Sequence, residues 1–126
     1  MQNLRSLVEG ARAKGVEPRS LSVINPGNPT GQLLTYDDIA EIVDFCTEEG
    51  ILILADEVYQ ENVYKDGAEF VSFKKVVADR QSSVELVSFH SVSKGLQGEC
   101  GLRGGYMELV NLEPVRRPLR PFWRPF

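Results

Sequence analysis

Residues 51–55 form an uninterrupted apolar run (ILILA) that ends in two acids, Asp56 and Glu57. A short run without polar alternation is typical of a strand covered on both faces, as in a parallel sheet between helices. Because strand side chains alternate between faces, the two acids should point to opposite sides of the sheet. We therefore do not interpret them as an acid/base pair or as a metal site.

Helical and extended patterns alternate along the rest of the chain. We predict helices at 3–14, 35–50 and 72–79, and strands at 21–24, 51–55, 84–89 and 102–110. Asn3 and Thr35 are the expected N-terminal caps of the first two helices, and Gly50 is the expected end of the second. The alternation predicts an α/β class with a mostly parallel sheet flanked by helices.

Length and charge limit the functional classes. A chain of 126 residues suffices for one modest domain, and a net charge of −4 gives no sign of nucleic-acid binding. No apolar run approaches the ~20 residues of a membrane span. The two cysteines, Cys46 and Cys100, do not form a disulfide framework. We therefore expect free thiols and an intracellular location. The cytoplasm is the favoured compartment, and a mitochondrial or other organellar location stays open.

The character of the sequence changes near Asn111. Residues 111–126 contain four arginines and four of the seven prolines. Prolines at intervals of three or four prevent a regular helix. We therefore divide the chain into a domain at 1–110 and a divergent Pro/Arg-rich tail at 111–126, which we expect to be disordered.

Three polar clusters follow the predicted strands. They lie at 25–31, at 56–59, and at 91–95 together with Arg103. In an open α/β sheet, ligands bind beyond the carboxyl ends of the strands. The clusters are therefore predicted to form one site.

The same clusters carry a family resemblance. They read NPGNPTG at 25–31, LADEVYQENVY at 54–64 and SFHSVSKGLQGECGLRGGYME at 88–108. This ordered set resembles the fold-type I aminotransferases, and with SFKK at 72–75 it is most similar to the alanine aminotransferases among them. The resemblance covers residues 1–110. It implies a central part of the large domain that binds pyridoxal 5'-phosphate.

The resemblance assigns roles to two charged residues. Lys94 matches the lysine that anchors the cofactor through a Schiff base and then moves the substrate's proton. Asp56 matches the aspartate that pairs with the pyridine nitrogen and keeps it protonated. The plain alternatives are a surface lysine in a loop and an acid that caps the segment after a strand.

The remaining site residues are neutral donors and one arginine. Asn28 and Tyr59 match the residues that bind the cofactor's phenolic oxygen, although Asn28 equally suits a turn and Tyr59 a half-buried aromatic. Ser91 and Arg103 match phosphate ligands, with Ser93 as an extra donor. The adjacent glycines, 101, 104 and 105, would let backbone approach the site. His90 is interpreted as a structural residue or a neighbour of the cofactor, and Cys100 as structural.

The implied activity is transamination between L-alanine and 2-oxoglutarate, giving pyruvate and L-glutamate, by a homodimer that binds small amino acids and 2-oxo acids. Nothing in the chain matches the arginine that holds the substrate carboxylate in the family. One alternative is a non-catalytic truncated product, prone to aggregation, that pairs with full-length subunits through exposed sheet edges. Another is a different class-I aminotransferase or a related pyridoxal-phosphate lyase.

Overall fold

A computed structural model describes residues 2–96 and 98–112 of the chain. Three helices and four strands alternate through this part. The helices are α1 (Gln2–Arg12), α2 (Tyr36–Glu49) and α3 (Phe73–Asp79). The strands are β1 (Ser20–Ile24), β2 (Leu52–Asp56), β3 (Leu86–Ser91) and β4 (Gly105–Val110), with a short 3-10 turn at Cys100–Leu102.

The four strands form one sheet whose spatial order, β1-β2-β3-β4, is also their order in the chain. The first three strands are parallel, and β4 runs antiparallel to β3. The predicted α/β class with a mostly parallel sheet is confirmed. As a result the carboxyl ends of β1, β2 and β3 meet at the same edge as the start of β4.

All three helices contribute buried side chains to one hydrophobic core. The strand residues in that core, such as Ile53, Ala55 and Leu86, share one face of the sheet by alternation. We call the opposite face the open face; it carries Ile24, Leu54, Val87, Phe89, Met107 and Leu109. On the open face Met107 and Leu109 are 59% and 58% exposed. The sequence predicted helices against both faces of the sheet, but in the described residues they cover only the core face.

Local capping chemistry fixes the ends of α2. The Thr35 side chain accepts from the Asp38 backbone N–H, while the Asp38 carboxylate accepts from the Thr35 N–H. Gly50 ends the helix in the left-handed region with φ of 65°. These two predicted ends are correct because the signals act within one turn.

Several predicted boundaries differ from the structure: α1 ends at Arg12 and not at residue 14, and β3 spans Leu86–Ser91 and not 84–89. Asn3 does not cap α1, because the helix already includes Gln2. The last strand begins at Gly105 and not at Leu102, which belongs to the 3-10 turn. Arg103 follows that turn in the left-handed region with φ of 49°, so the chain reverses before it can enter the sheet.

Cys46 is fully buried, as its position on the apolar stripe of α2 predicts. No helix in residues 2–96 or 98–112 is long and apolar enough to cross a membrane. Most of the predicted tail, residues 113–126, lies outside the described residues. The division of the chain near Asn111 therefore stays a prediction.

Candidate active site

The loops that follow β1, β2 and β3 begin side by side. Ile24 pairs with Asp56, and Asp56 pairs with Phe89. The Asn25 N–H donates to the Asp56 carbonyl at 3.0 Å, and the Glu57 N–H donates to the Phe89 carbonyl at 3.2 Å. These bonds extend the parallel pairing by one residue and bring the three polar clusters to one edge.

Three separate segments meet at Tyr59. The Asn28 side-chain amide donates to the Tyr59 hydroxyl at 3.1 Å. The Lys94 ammonium lies 5.7 Å from the centre of the Tyr59 ring, within the range of a cation–π contact. The structure thus brings Asn28, Tyr59 and Lys94 together. Lys94 itself is exposed.

The two acids after β2 lie on opposite faces, as the alternation predicts. Asp56 is half-buried on the open face, where its Oδ1 is 3.4 Å from the Val58 N–H. Glu57 is buried on the core face, where it accepts from the Phe73 N–H at 2.8 Å and from the Ser88 hydroxyl. Burial raises the pKa of the Glu57 carboxyl, although both hydrogen bonds oppose that shift. Asp56, and not Glu57, is therefore the acid on the open face of the sheet.

The segment after β3 folds back on itself. The Ser91 hydroxyl accepts from the Ser93 N–H at 3.1 Å, and the Ser91 carbonyl lies 3.4 Å from the Lys94 N–H. The Cys100 thiol donates to the Ser93 carbonyl at 3.2 Å. Arg103 is exposed, and its guanidinium donates to the Cys100 carbonyl at 2.9 Å. Ser91, Ser93 and Lys94 thus share one turn, whereas Arg103 is tied to Cys100 and not to Ser91.

His90 lies on the core face of β3, away from this turn. Its Nδ1 is 3.3 Å from the Gln60 side-chain amide. Its ring packs against Tyr106 of β4 with centroids 5.2 Å apart. These contacts support a structural role for the single histidine of the sequence.

A cleft of about 250 Å³ opens beside the Asn28–Tyr59 pair. Asn62 and Tyr64 line it from the loop after β2, and the Asn62 side-chain amide donates to the Tyr64 hydroxyl at 2.8 Å. Asn62 and Tyr64 were not among the predicted site residues. Their only sequence signal is that both fall inside the LADEVYQENVY motif.

Sequence reasoning also missed Asn25 as the anchor of the first loop. Asn25 is fully buried, and its side-chain oxygen accepts from the Leu34 N–H at 2.9 Å. This bond closes the loop that carries Asn28. The available signal was a polar residue placed directly after a strand, on the face that packs against the core.

The donor set suits pyridoxal phosphate. Asp56 supplies a carboxylate for a protonated ring nitrogen, and the paired Asn28 and Tyr59 supply donors for a phenolic oxygen. Ser91 supplies a hydroxyl suited to a phosphate. Lys94 supplies the amine that a carbonyl carbon requires.

The fold is that of an α/β protein, and its candidate ligand site lies at the carboxyl ends of the parallel strands, where such folds bind ligands. The chain belongs to the family described as aminotransferase class I and II, whose model matches residues 1–126. The predicted resemblance is thereby confirmed.

The named relatives of the chain are also aminotransferases. A probable mitochondrial alanine aminotransferase from Dictyostelium discoideum is 61% identical over 103 residues, covering 79% of this chain and 19% of the relative. Glutamate–glyoxylate aminotransferase 2 from Arabidopsis thaliana is 50% identical over 118 residues, covering 90% and 24%. A solved aminotransferase from Escherichia coli matches with a TM-score of 0.64 and 32% identity, over 81% of this chain and 24% of that one. The chain thus spans a quarter or less of these proteins.

Proposed function

We propose that this chain is the cofactor-binding segment of a pyridoxal-phosphate-dependent alanine aminotransferase. One observation carries the proposal: Asn28 from the first loop and Lys94 from the third both contact Tyr59 of the second, at 3.1 Å and 5.7 Å. Residues that are 31 and 35 positions from Tyr59 meet there because three parallel strands end at one edge. Membership of the family supports the same conclusion.

The cofactor, when bound, supplies the electron sink for chemistry at the substrate's α-carbon. Lys94 would hold it covalently through Nζ. Once the substrate's amino group replaces Nζ at the cofactor's carbonyl carbon, the freed amine would take the proton from the substrate's α-carbon. Asp56 holds a proton on the ring nitrogen by placing a negative charge beside it. Asn28 and Tyr59 orient the ring through its phenolic oxygen.

The turn after β3, together with Arg103, would hold the cofactor's phosphate. Ser91 donates its hydroxyl, Ser93 adds a second donor, and Arg103 contributes a guanidinium. Arg103 donates one hydrogen bond to the Cys100 carbonyl. Because a guanidinium carries five N–H groups, four remain for phosphate oxygens.

The proposed reaction transfers the amino group of L-alanine to 2-oxoglutarate and yields pyruvate and L-glutamate. The relative named alanine aminotransferase supports this choice. A second candidate is transfer from glutamate to glyoxylate, which the Arabidopsis relative favours. Both reactions use small amino acids and 2-oxo acids, so they share the same cofactor chemistry.

The decisive experiment is reductive trapping. The purified chain is mixed with pyridoxal phosphate, reduced with borohydride, and the modified peptide is located by mass spectrometry. We expect the label on Lys94 and its loss in Lys94→Arg, with Lys14→Arg as the matched control, because Lys14 is exposed beyond the end of α1. Label spread evenly over the lysines, or none at all, would sink the cofactor proposal.

Substrate assays then separate the alternatives. Pyruvate formed from L-alanine only when 2-oxoglutarate is present supports alanine transamination, whereas dependence on glyoxylate favours the second candidate. Ammonia released without any 2-oxo acid acceptor indicates a lyase. Specific label on Lys94 without turnover indicates a non-catalytic chain that requires further segments or a full-length partner.

We also propose an intracellular homodimer as the working form, located in the cytoplasm or the mitochondrion. The mitochondrial name of the Dictyostelium relative supports the second location. Light scattering on the purified chain tests the dimer, and fractionation of the source cells tests the location.

A further inference from the structure

Glu57 is a buried charged residue directly behind the proposed site. It is 5% exposed, and both carboxyl oxygens accept hydrogen bonds. One accepts from the Phe73 N–H in the first turn of α3 at 2.8 Å, and the other accepts from the Ser88 hydroxyl on β3. A single carboxyl therefore connects the end of β2 to the next helix and to the neighbouring strand.

The backbone of Glu57 starts the turn that carries a site residue. Its N–H donates to the Phe89 carbonyl at 3.2 Å, and its carbonyl accepts from the Gln60 N–H at 3.1 Å. Tyr59 lies within this turn, and Asp56 immediately precedes it. Any displacement of Glu57 thus moves both Asp56 and Tyr59.

We propose that Glu57 is a positioning residue that directs Asp56 to the cofactor's ring nitrogen and Tyr59 to its phenolic oxygen. The inference rests on the proposed function. Glu57 fixes the pleat at the end of β2, so the side chain of Asp56 is held on the open face while that of Glu57 is held on the core face. Glu57 does not touch the cofactor in this scheme.

The carboxyl reaches both partners only at its full side-chain length. Glu57→Asp keeps the charge but shortens the side chain by one methylene, so it cannot reach the Phe73 N–H and the Ser88 hydroxyl without moving the backbone of β2. Glu57→Gln keeps the length, because its amide oxygen can accept from Phe73 and its amide nitrogen can donate to the Ser88 oxygen. The two variants therefore separate side-chain geometry from charge.

The experiment compares wild type, Glu57→Asp and Glu57→Gln, with Glu41→Asp as the matched control, since Glu41 is exposed on α2. The first readout is amide hydrogen exchange at Phe73 without cofactor. The second is the affinity for pyridoxal phosphate, and the third is the visible absorption spectrum of the bound cofactor at saturation, which responds to protonation of its ring.

We expect Glu57→Asp to speed amide exchange at Phe73 and to alter the absorption spectrum of the bound cofactor. Its affinity for the cofactor should fall about tenfold, as is typical when a residue that orients a direct ligand is displaced. Glu57→Gln should recover most of the affinity and the wild-type spectrum. Glu41→Asp should match wild type in all three readouts.

Faster exchange with unchanged affinity and spectrum would mean that Glu57 only stabilises the fold, and would overturn the inference. The inference also fails if Glu57→Gln, which keeps the side-chain length, is as impaired as Glu57→Asp, because side-chain length would then not decide the cofactor affinity. If wild type itself takes up no cofactor, the proposed function fails and this inference fails with it. The wild-type measurement thus distinguishes the two failures.

Discussion

Replacing Gly105 by alanine should destabilise the junction of β3 and β4. Gly105 pairs with Ser91 at the edge of the sheet where the site lies. A Cβ added at Gly105 would lie 2.6 Å from the His90 carbonyl oxygen and 3.5 Å from the Ser91 Cα. Both neighbours are backbone atoms, so neither can rotate out of the way.

The size of the effect follows from this overlap. Carbon and carbonyl oxygen in close contact lie about 3.3 Å apart, so the new methyl group would overlap the oxygen by about 0.7 Å. Overpacking of this kind costs about 1–3 kcal/mol. At about 4 °C per kcal/mol for a chain of this size, the melting temperature should fall by about 4–12 °C.

Thermal unfolding followed by circular dichroism measures this shift, and Gly101→Ala is the matched control. Gly101 lies in the same glycine-rich segment, but a Cβ there would meet no atom within 4 Å. Its melting temperature should stay within about 2 °C of wild type, as for most surface substitutions. Equal melting temperatures for the two variants would refute the steric argument.

Three further predictions concern thiols, pH and the open face. Burial raises the pKa of the Cys46 thiol to about 12, so a thiol reagent at pH 8 should modify only the exposed Cys100 in the native chain and both cysteines after denaturation. The pKa of Glu57 is raised on folding, so its contribution to stability is most favourable below its unfolded pKa and declines as pH rises towards the folded value. Denaturant titrations should therefore show that the free energy of unfolding of wild type falls relative to that of Glu57→Gln as pH rises through that window. If the two free energies change in parallel with pH, the pKa of Glu57 is not raised on folding. On the open face, Met107→Lys should reduce self-association of the chain, measured by light scattering, because it places a charge in an exposed apolar patch.

The parts of the fold that sequence predicted correctly depend on short-range signals. The capping box at Thr35 acts within one turn, and the opposite orientation of Asp56 and Glu57 follows from the two-residue period of a strand. The alternation of helical and extended patterns was enough to predict a mostly parallel sheet, because it needs no knowledge of distant contacts. The convergence of Asn28, Tyr59 and Lys94 then follows from the sheet itself.

The parts that were missed depend on distant partners or on backbone conformation. Glu57 bonds to residues 16 and 31 positions away, which no local periodicity indicates. The start of β4 was misplaced because the left-handed conformation of Arg103 reverses the chain, and arginine has no special preference for that region. The same reversal ties the guanidinium to Cys100, a contact that the resemblance did not suggest.

The agreement between strand order and chain order has a consequence for biosynthesis. Because β1, β2, β3 and β4 add to the sheet in the sequence in which they are translated, each strand leaves the ribosome with its neighbour already made. At about 5–20 residues per second, the 35 positions between Tyr59 and Lys94 take about 2–7 s to synthesise. The loop of Asn28 and the turn of Tyr59 can therefore be in place before Lys94 emerges, so the lysine that we propose holds the cofactor is made after the two residues with which it converges.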